Sequence, residues 1–230
     1  MLAIRLGQSL PSSVPVNWIP TDETGIIAWF RKATGMAIGG GTVSQWKDSS
    51  VNAHTMAQAT VSEQPTFTSD GSGAIEFDPA DSNNLQLAST QISLTDEFTI
   101  GIALNISNAG GIILGDNTTT GEFIKVFSTT KIRVKIDNAT AVDLQLDSGS
   151  LLGTDSTLIL TRNGSDLITM YWNGVAQADT ETLTGTADID SIGVRATDAN
   201  PYDGYITEIQ IYEGTSAALT ANVQSRLASL

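Results

Sequence analysis

The sequence predicts an all-β protein, and three observations carry that prediction. From Thr24 onward, short apolar runs alternate with turn-forming residues, as strands and their connections do. In 131-KIRVKID-137, Ile132, Val134 and Ile136 fall on one face and Lys131, Arg133 and Lys135 on the other, the two-residue period of a half-buried strand. The pairs Asn163-Gly164 and Asn173-Gly174 suit the positive backbone angles of tight turns between strands. A sandwich or barrel of antiparallel strands satisfies all three.

Residues 1–20 stand apart from the rest. Leu2, Ile4 and Leu6 alternate as in a short strand, and Pro11, Pro15 and Pro20 then mark a semi-extended tether. This arm is either an edge strand of the main domain or an arm that adds to a partner's sheet. On the second reading Leu2, Ile4 and Leu6 touch the partner and Trp18 anchors the arm. Residues 21–230 form one domain, because no linker or repeat divides them. Its candidate strands are 25–31, 42–48, 73–78, 84–89, 97–105, 110–115, 122–128, 131–137, 140–146, 156–162, 166–172, 191–196 and 204–213. Trp29, Trp46 and Trp172 lie within these patterns and are expected inside. Helix signal is confined to Ser216–Leu230, where Ala218, Val223, Leu227 and Leu230 are loosely periodic.

Composition excludes several chemistries. The chain of 230 residues has no cysteine, so it has no disulfide and no thiolate site. Its single histidine, His54, rules out a multi-histidine metal centre, and no acid near it in sequence reads as an orienting partner. A net charge of −14 disfavours nucleic acid as a partner. No apolar run is long enough to span a membrane, and the first residues lack the apolar core of a signal peptide. Against this acidic background the stripe Lys131, Arg133 and Lys135, with Lys125 nearby, stands out. It reads either as a contact for an anionic glycan or an acidic subunit, or as the charged guard of an edge strand. Asp48, before two serines, reads as a turn former.

Four stretches in order, 28-AWFRKATGMAIGGGTVSQWKDSS-50, 73-GAIEFDPADSNNLQLAS-89 with 98-FTIGIALN-105, 158-LILTRNGSDLITMYWNGVAQA-178, and 203-DGYITEIQIYEG-214 with its following helix, resemble the laminin G-like branch of the concanavalin A-like lectin/glucanase superfamily. The resemblance implies a jelly-roll sandwich of two curved antiparallel sheets with a short C-terminal helix. It implies no activity by itself. Glu76, Asp78 and Asp81 in 75-IEFDPAD-81 fall one residue type short of the Glu-x-Asp-x-x-Glu signature of related glucanases. Retaining glycosidases hold two carboxyls roughly 5–5.5 Å apart. Pro79 ends the strand too early for Asp81 to share that face, so a non-enzymatic protein is expected, with a glycoside hydrolase as the remote alternative.

Relatives bind calcium through loop oxygens, which makes Asp116, Asp198 and Asp203 candidate ligands for Ca2+, with no cofactor required. Sugar binding needs an exposed aromatic beside hydrogen-bonding groups, and Tyr202 with Asn200 and Asp203 is the local candidate. The cysteine-free, Thr/Ser/Ala-rich chain with its short arm also resembles laminin G-like bacteriophage virion proteins. That implies a capsid decoration or tail-associated domain on the virion surface. Other virion subunits would be partners through the arm, with host-surface glycan and a homo-oligomer compatible with it. A carbohydrate-binding or adhesion module is the alternative.

Overall fold

The structure, a computed structural model, describes residues 18–68, 70–88, 92–118, 121–137 and 139–230. Leu2, Ile4 and Leu6 lie outside the described residues. In chain order the strands are β1 (Ile26–Phe30), β2 (Met36–Gly39), β3 (Thr42–Lys47), β4 (Thr55–Ala57), β5 (Thr66–Phe67), β6 (Ile75–Phe77), β7 (Leu85–Leu87), β8 (Ile92–Leu94), β9 (Phe98–Ile106) and β10 (Ile112–Gly115). They continue as β11 (Phe123–Ser128), β12 (Lys131–Lys135), β13 (Val142–Gln145), β14 (Asp155–Arg162), β15 (Leu167–Trp172), β16 (Val175–Thr182), β17 (Ala187–Ile189), β18 (Ser191–Ile192) and β19 (Gly204–Glu213). Helix α1 (Ala217–Leu227) closes the chain.

Pairing resolves these strands, apart from β8 and β17, which pair only with each other, into two antiparallel layers. The first runs β1–β19–β9–β14–β15–β16, with β6 beside β19 beyond the end of β1. The second runs β2–β3–β4–β7–β18–β10–β11–β12–β13. Short β5 pairs with β3 in one layer and β6 in the other, so a single ribbon stitches the two together. The layers face each other across one apolar core that includes Trp46, Phe77, Ile102, Ile132 and Ile209, the arrangement of a jelly-roll sandwich. Among the described residues no helix is long and apolar enough to cross a membrane.

Local chemistry explains the elements. β12 alternates between half-exposed and buried positions, as its sequence predicts. It is not an edge strand, however: β11 and β13 flank it on both sides, so its cations guard no open edge. β2, β4, β5, β8, β16 and β17 were not expected, and the polar eight-residue β16 shows why, since five of its eight positions are exposed and carry little apolar signal. Asn173 and Gly174 both take positive φ, 51° and 80°, and make the tight turn between β15 and β16. Asn163-Gly164 behaves differently: the loop extends over four residues, Asp166 adopts the positive φ, and the Asn163 side chain accepts from the Ser165 and Leu167 amides.

Arg162 at the end of β14 is fully buried, and among the described residues its hydrogen-bond partners are backbone carbonyls. Its guanidinium donates to the carbonyls of Asp96, Gly185 and Leu94 at 2.8, 2.6 and 3.1 Å, tying two connecting segments to the first sheet. Helix α1 packs on the outer face of that sheet, over Ala103, Ile159 and Tyr212. Trp18 joins this cluster, half-buried, with its indole N–H donating to Glu23 at 3.0 Å, so it packs on the chain's own helix. Trp46 is fully buried and Trp29 and Trp172 nearly so.

Candidate functional site

The outer face of the second sheet gathers the features that the sequence scatters. Strand alternation turns Ile124, Val126, Ile132 and Val134 into the core and leaves Phe123, Lys125, Phe127, Lys131, Arg133 and Lys135 on the opposite side. Register then sets Lys125 directly across from Arg133, and Arg133 across from Asp143. The Asp143 carboxylate takes two bonds from Arg133, at 2.6 and 3.0 Å, and lies 4.0 Å from Lys131. The Arg133 bonds, with the charges of Arg133 and Lys131, hold the Asp143 carboxyl below the usual aspartate range. The fork also lays the Arg133 guanidinium 3.4 Å from the centre of the Phe127 ring, which is 40% exposed.

Lys125 sits between two such stacks. Arg195 lies 5.4 Å over Phe123 on the other side. Among the described residues the one hydrogen-bond partner of Lys125 is a neutral amide, Asn200 Oδ1, at 3.0 Å. Burial, then the like charges of Arg195 and Arg133, push its ammonium below the ordinary lysine value. Asn200 reaches this position from a loop in which Thr197, Asp198 and Asn200 all take positive φ, pinned by the Ile112 amide donating to the Asn200 carbonyl at 2.8 Å. Arginine forks, a crowded lysine, half-exposed phenyl rings and a side-chain amide together form a surface suited to an anion mounted on a partly apolar body.

Other sequence-derived candidates fall elsewhere. Tyr202 is fully buried, packs edge-on against Phe77 and donates its hydroxyl to the Asn105 carbonyl at 3.0 Å, so it has no face open to a sugar. Burial raises its phenol well above the usual tyrosine value. Asp203 accepts from the Asn108 amide at 2.7 Å. Of that trio, only Asn200 faces the basic surface.

The expected calcium ligands do not converge. Asp116 is buried and accepts from the backbone and hydroxyl of Thr118, Asp198 is exposed and accepts from Gln86, and Asp203 is held by Asn108. Among the described residues no three His, Cys, Asp or Glu side chains group so as to hold a metal ion. Glu76 accepts from Tyr205 at 2.9 Å, and Asp78 caps the short turn Pro79–Asp81 by accepting from Ala80. His54 does have an acidic partner: its Nδ1 is 2.9 Å from Asp48 Oδ2. Burial raises the Asp48 carboxyl, but hydrogen bonds from His54 and Ser50 outweigh it and hold the group below its usual value. The pair closes the seven-residue loop between β3 and β4, and the histidine is thus a turn residue.

Comparison with known proteins places this geometry in a family. Solved structures with the same fold include the binding domain of Paraclostridial Mosquitocidal Protein 1, with 15% identity and a TM-score of 0.60, covering 92% of this chain and 53% of that one. The receptor-binding domain of botulinum neurotoxin type G is similar at 15% identity and a TM-score of 0.58, covering 90% of this chain and 51% of that one. The chain therefore spans about half the length of these toxin domains. Domain 4 of AbnA, a GH43 extracellular arabinanase from Geobacillus stearothermophilus solved with arabinotriose, matches at 14% identity and a TM-score of 0.58, over 87% of this chain and 98% of that one. No curated protein matches the chain in sequence. Residues 79–222, more than half of the chain, match the laminin G family of the concanavalin A-like lectin/glucanases superfamily, and the protein belongs to that family.

Proposed function

We propose that this chain is a non-enzymatic saccharide-binding module that takes an acidic glycan on the outer face of its second sheet. The observation that carries the reading is Lys125, held beside Arg133 and Arg195 and bonded, among the described residues, to one neutral amide. A carboxylate or sulfate lodged there would relieve the crowding of like charge and gain a charge-assisted hydrogen bond. Arg133 is already ordered by Asp143 and Phe127, so binding would cost it little side-chain entropy. Domains of this fold that are named for receptor binding, or were solved with a saccharide, support the assignment as precedent.

Calorimetric titration with sulfated and uronate-bearing oligosaccharides tests it. Binding should weaken as salt rises and fall about tenfold in Lys125→Gln. Heat from neutral but not acidic sugars, or an unchanged affinity in that variant, would remove the proposal. The setting we propose is the surface of a bacteriophage particle, on capsid or tail, supported by the sequence resemblance. Purified virions that lack the chain in mass spectrometry would refute that part alone.

A further inference from the structure

The opposite side of the sandwich carries a different kind of surface. A cleft of about 580 Å³ opens on the outer face of the first sheet, beside the C-terminal end of α1. Its origin lies in the small residues of β9. A Cβ at Gly101 would stand 2.3 Å from Val223, so the helix is seated directly on the sheet there. Further along the same face come Ala103 and then Asn105, and the space beside the helix is left open above them.

Its polar groups are half-used. Thr157 donates its hydroxyl to Gln224 Oε1 at 2.7 Å, which leaves the Gln224 amide nitrogen without a partner among the described residues. Asn105 donates to Asp155 Oδ1 at 2.8 Å, which leaves the Asn105 amide oxygen and the second Asp155 oxygen without a partner among the described residues. An amide donor therefore stands on the helix side and acceptors on the sheet side, the complement of hydroxyls that both give and take hydrogen bonds. Half-buried Tyr205, whose hydroxyl donates to Glu76 at 2.9 Å, supplies an aromatic ring to the lining, and Ala103 and Leu227 add apolar surface. Two carboxylates, Asp70 and Asp155, line the cleft, and among the described lining residues there is no lysine, arginine or histidine; Lys32 donates to the carbonyl of the lining residue Leu230 at 2.7 Å. The two lining carboxylates favour an uncharged ligand over an anion on this side.

We propose that this cleft is a second, separate binding site, for an uncharged saccharide of about two or three rings, matching the usual size range of ligand pockets. The site does not depend on the acidic-glycan reading of the other face. The test is NMR of the full chain with side-chain amide assignments, titrated at millimolar concentration with arabinotriose, xylotriose, cellotriose and maltotriose. At least one should shift the Gln224 and Asn105 amides. Affinity should drop about tenfold in Gln224→Glu, which keeps size but removes the donor, and similarly in Asn105→Ala, with Lys125→Gln unaffected. Both variants should melt as the parent does. The proposal is overturned if none of the four trisaccharides shifts these amides, if the shifts survive both substitutions, or if Lys125→Gln abolishes them.

Discussion

Glu122 lies buried just before β11, among Asp188, Asp116 and Asp137. Burial pushes its carboxyl up to about 7; the Asp188 backbone N–H pulls the other way, and the three neighbouring acids add repulsion. An acid whose folded value is raised favours the folded state while protonated, so its contribution is full below about pH 4.5 and is lost as pH rises through 7. Glu122→Gln keeps the acceptor for Asp188 and removes the charge. It should stabilise the protein by about 1–3 kcal/mol at pH 8 and by almost nothing at pH 4.5, measured by urea unfolding. An equal effect at both values would refute the account. None of this is readable from 122-EFIKVFS-128, because the crowding comes from outside it: Asp188 in β17 and Asp137 after β12 reach Glu122 only through the fold. The His54–Asp48 pair was nearer to view, since both residues bound one short loop, but a six-residue spacing matches no standard motif.

At the scale of elements, the seat of α1 shows how a readable helix finds an unreadable place. Ser216 caps it by accepting from the Leu219 amide at 3.0 Å. What fastens it is Glu208 on β19, fully buried, bonded twice by Arg226 at 3.0 and 2.8 Å and again by Gln210 at 2.9 Å. The Glu208 hydrogen bonds raise the Arg226 guanidinium above its usual value. Arg226→Leu should cost about 3 kcal/mol in chemical unfolding by stranding a buried carboxylate, and Glu208→Gln added to it should recover part of the loss. A cost below about 1 kcal/mol, or no recovery, would show that the pair does not hold the helix. By the same logic β12 was legible as a strand, but its interior position was not, because its two neighbours are named only by pairing.

For the molecule as a whole, both sheets share one core and β5 hydrogen-bonds to each, so the sandwich should unfold as a unit. Tryptophan fluorescence, dominated by buried groups such as Trp46, and far-ultraviolet dichroism should give coincident denaturation curves. Separate midpoints would mean the layers melt independently. The same assembly segregates charge in a chain of net −14, with cations on the second sheet's outer face and carboxylates around the cleft on the first. Alternation, turn residues and composition were enough to establish the all-β class, the terminal helix, most long strands and the basic stripe, because those are properties of neighbouring residues. Adjacency was beyond them. Asn200 meets Lys125 across 75 residues, and the cleft joins β9, β14, β19 and α1. Tyr202 shows the same limit from the other side: its loop sequence suggested exposure, and packing against Phe77 buried it. A two-residue period says which way a side chain points relative to its own strand, whereas what it meets there depends on which strands pair, and long-range pairing and core packing alone settle that.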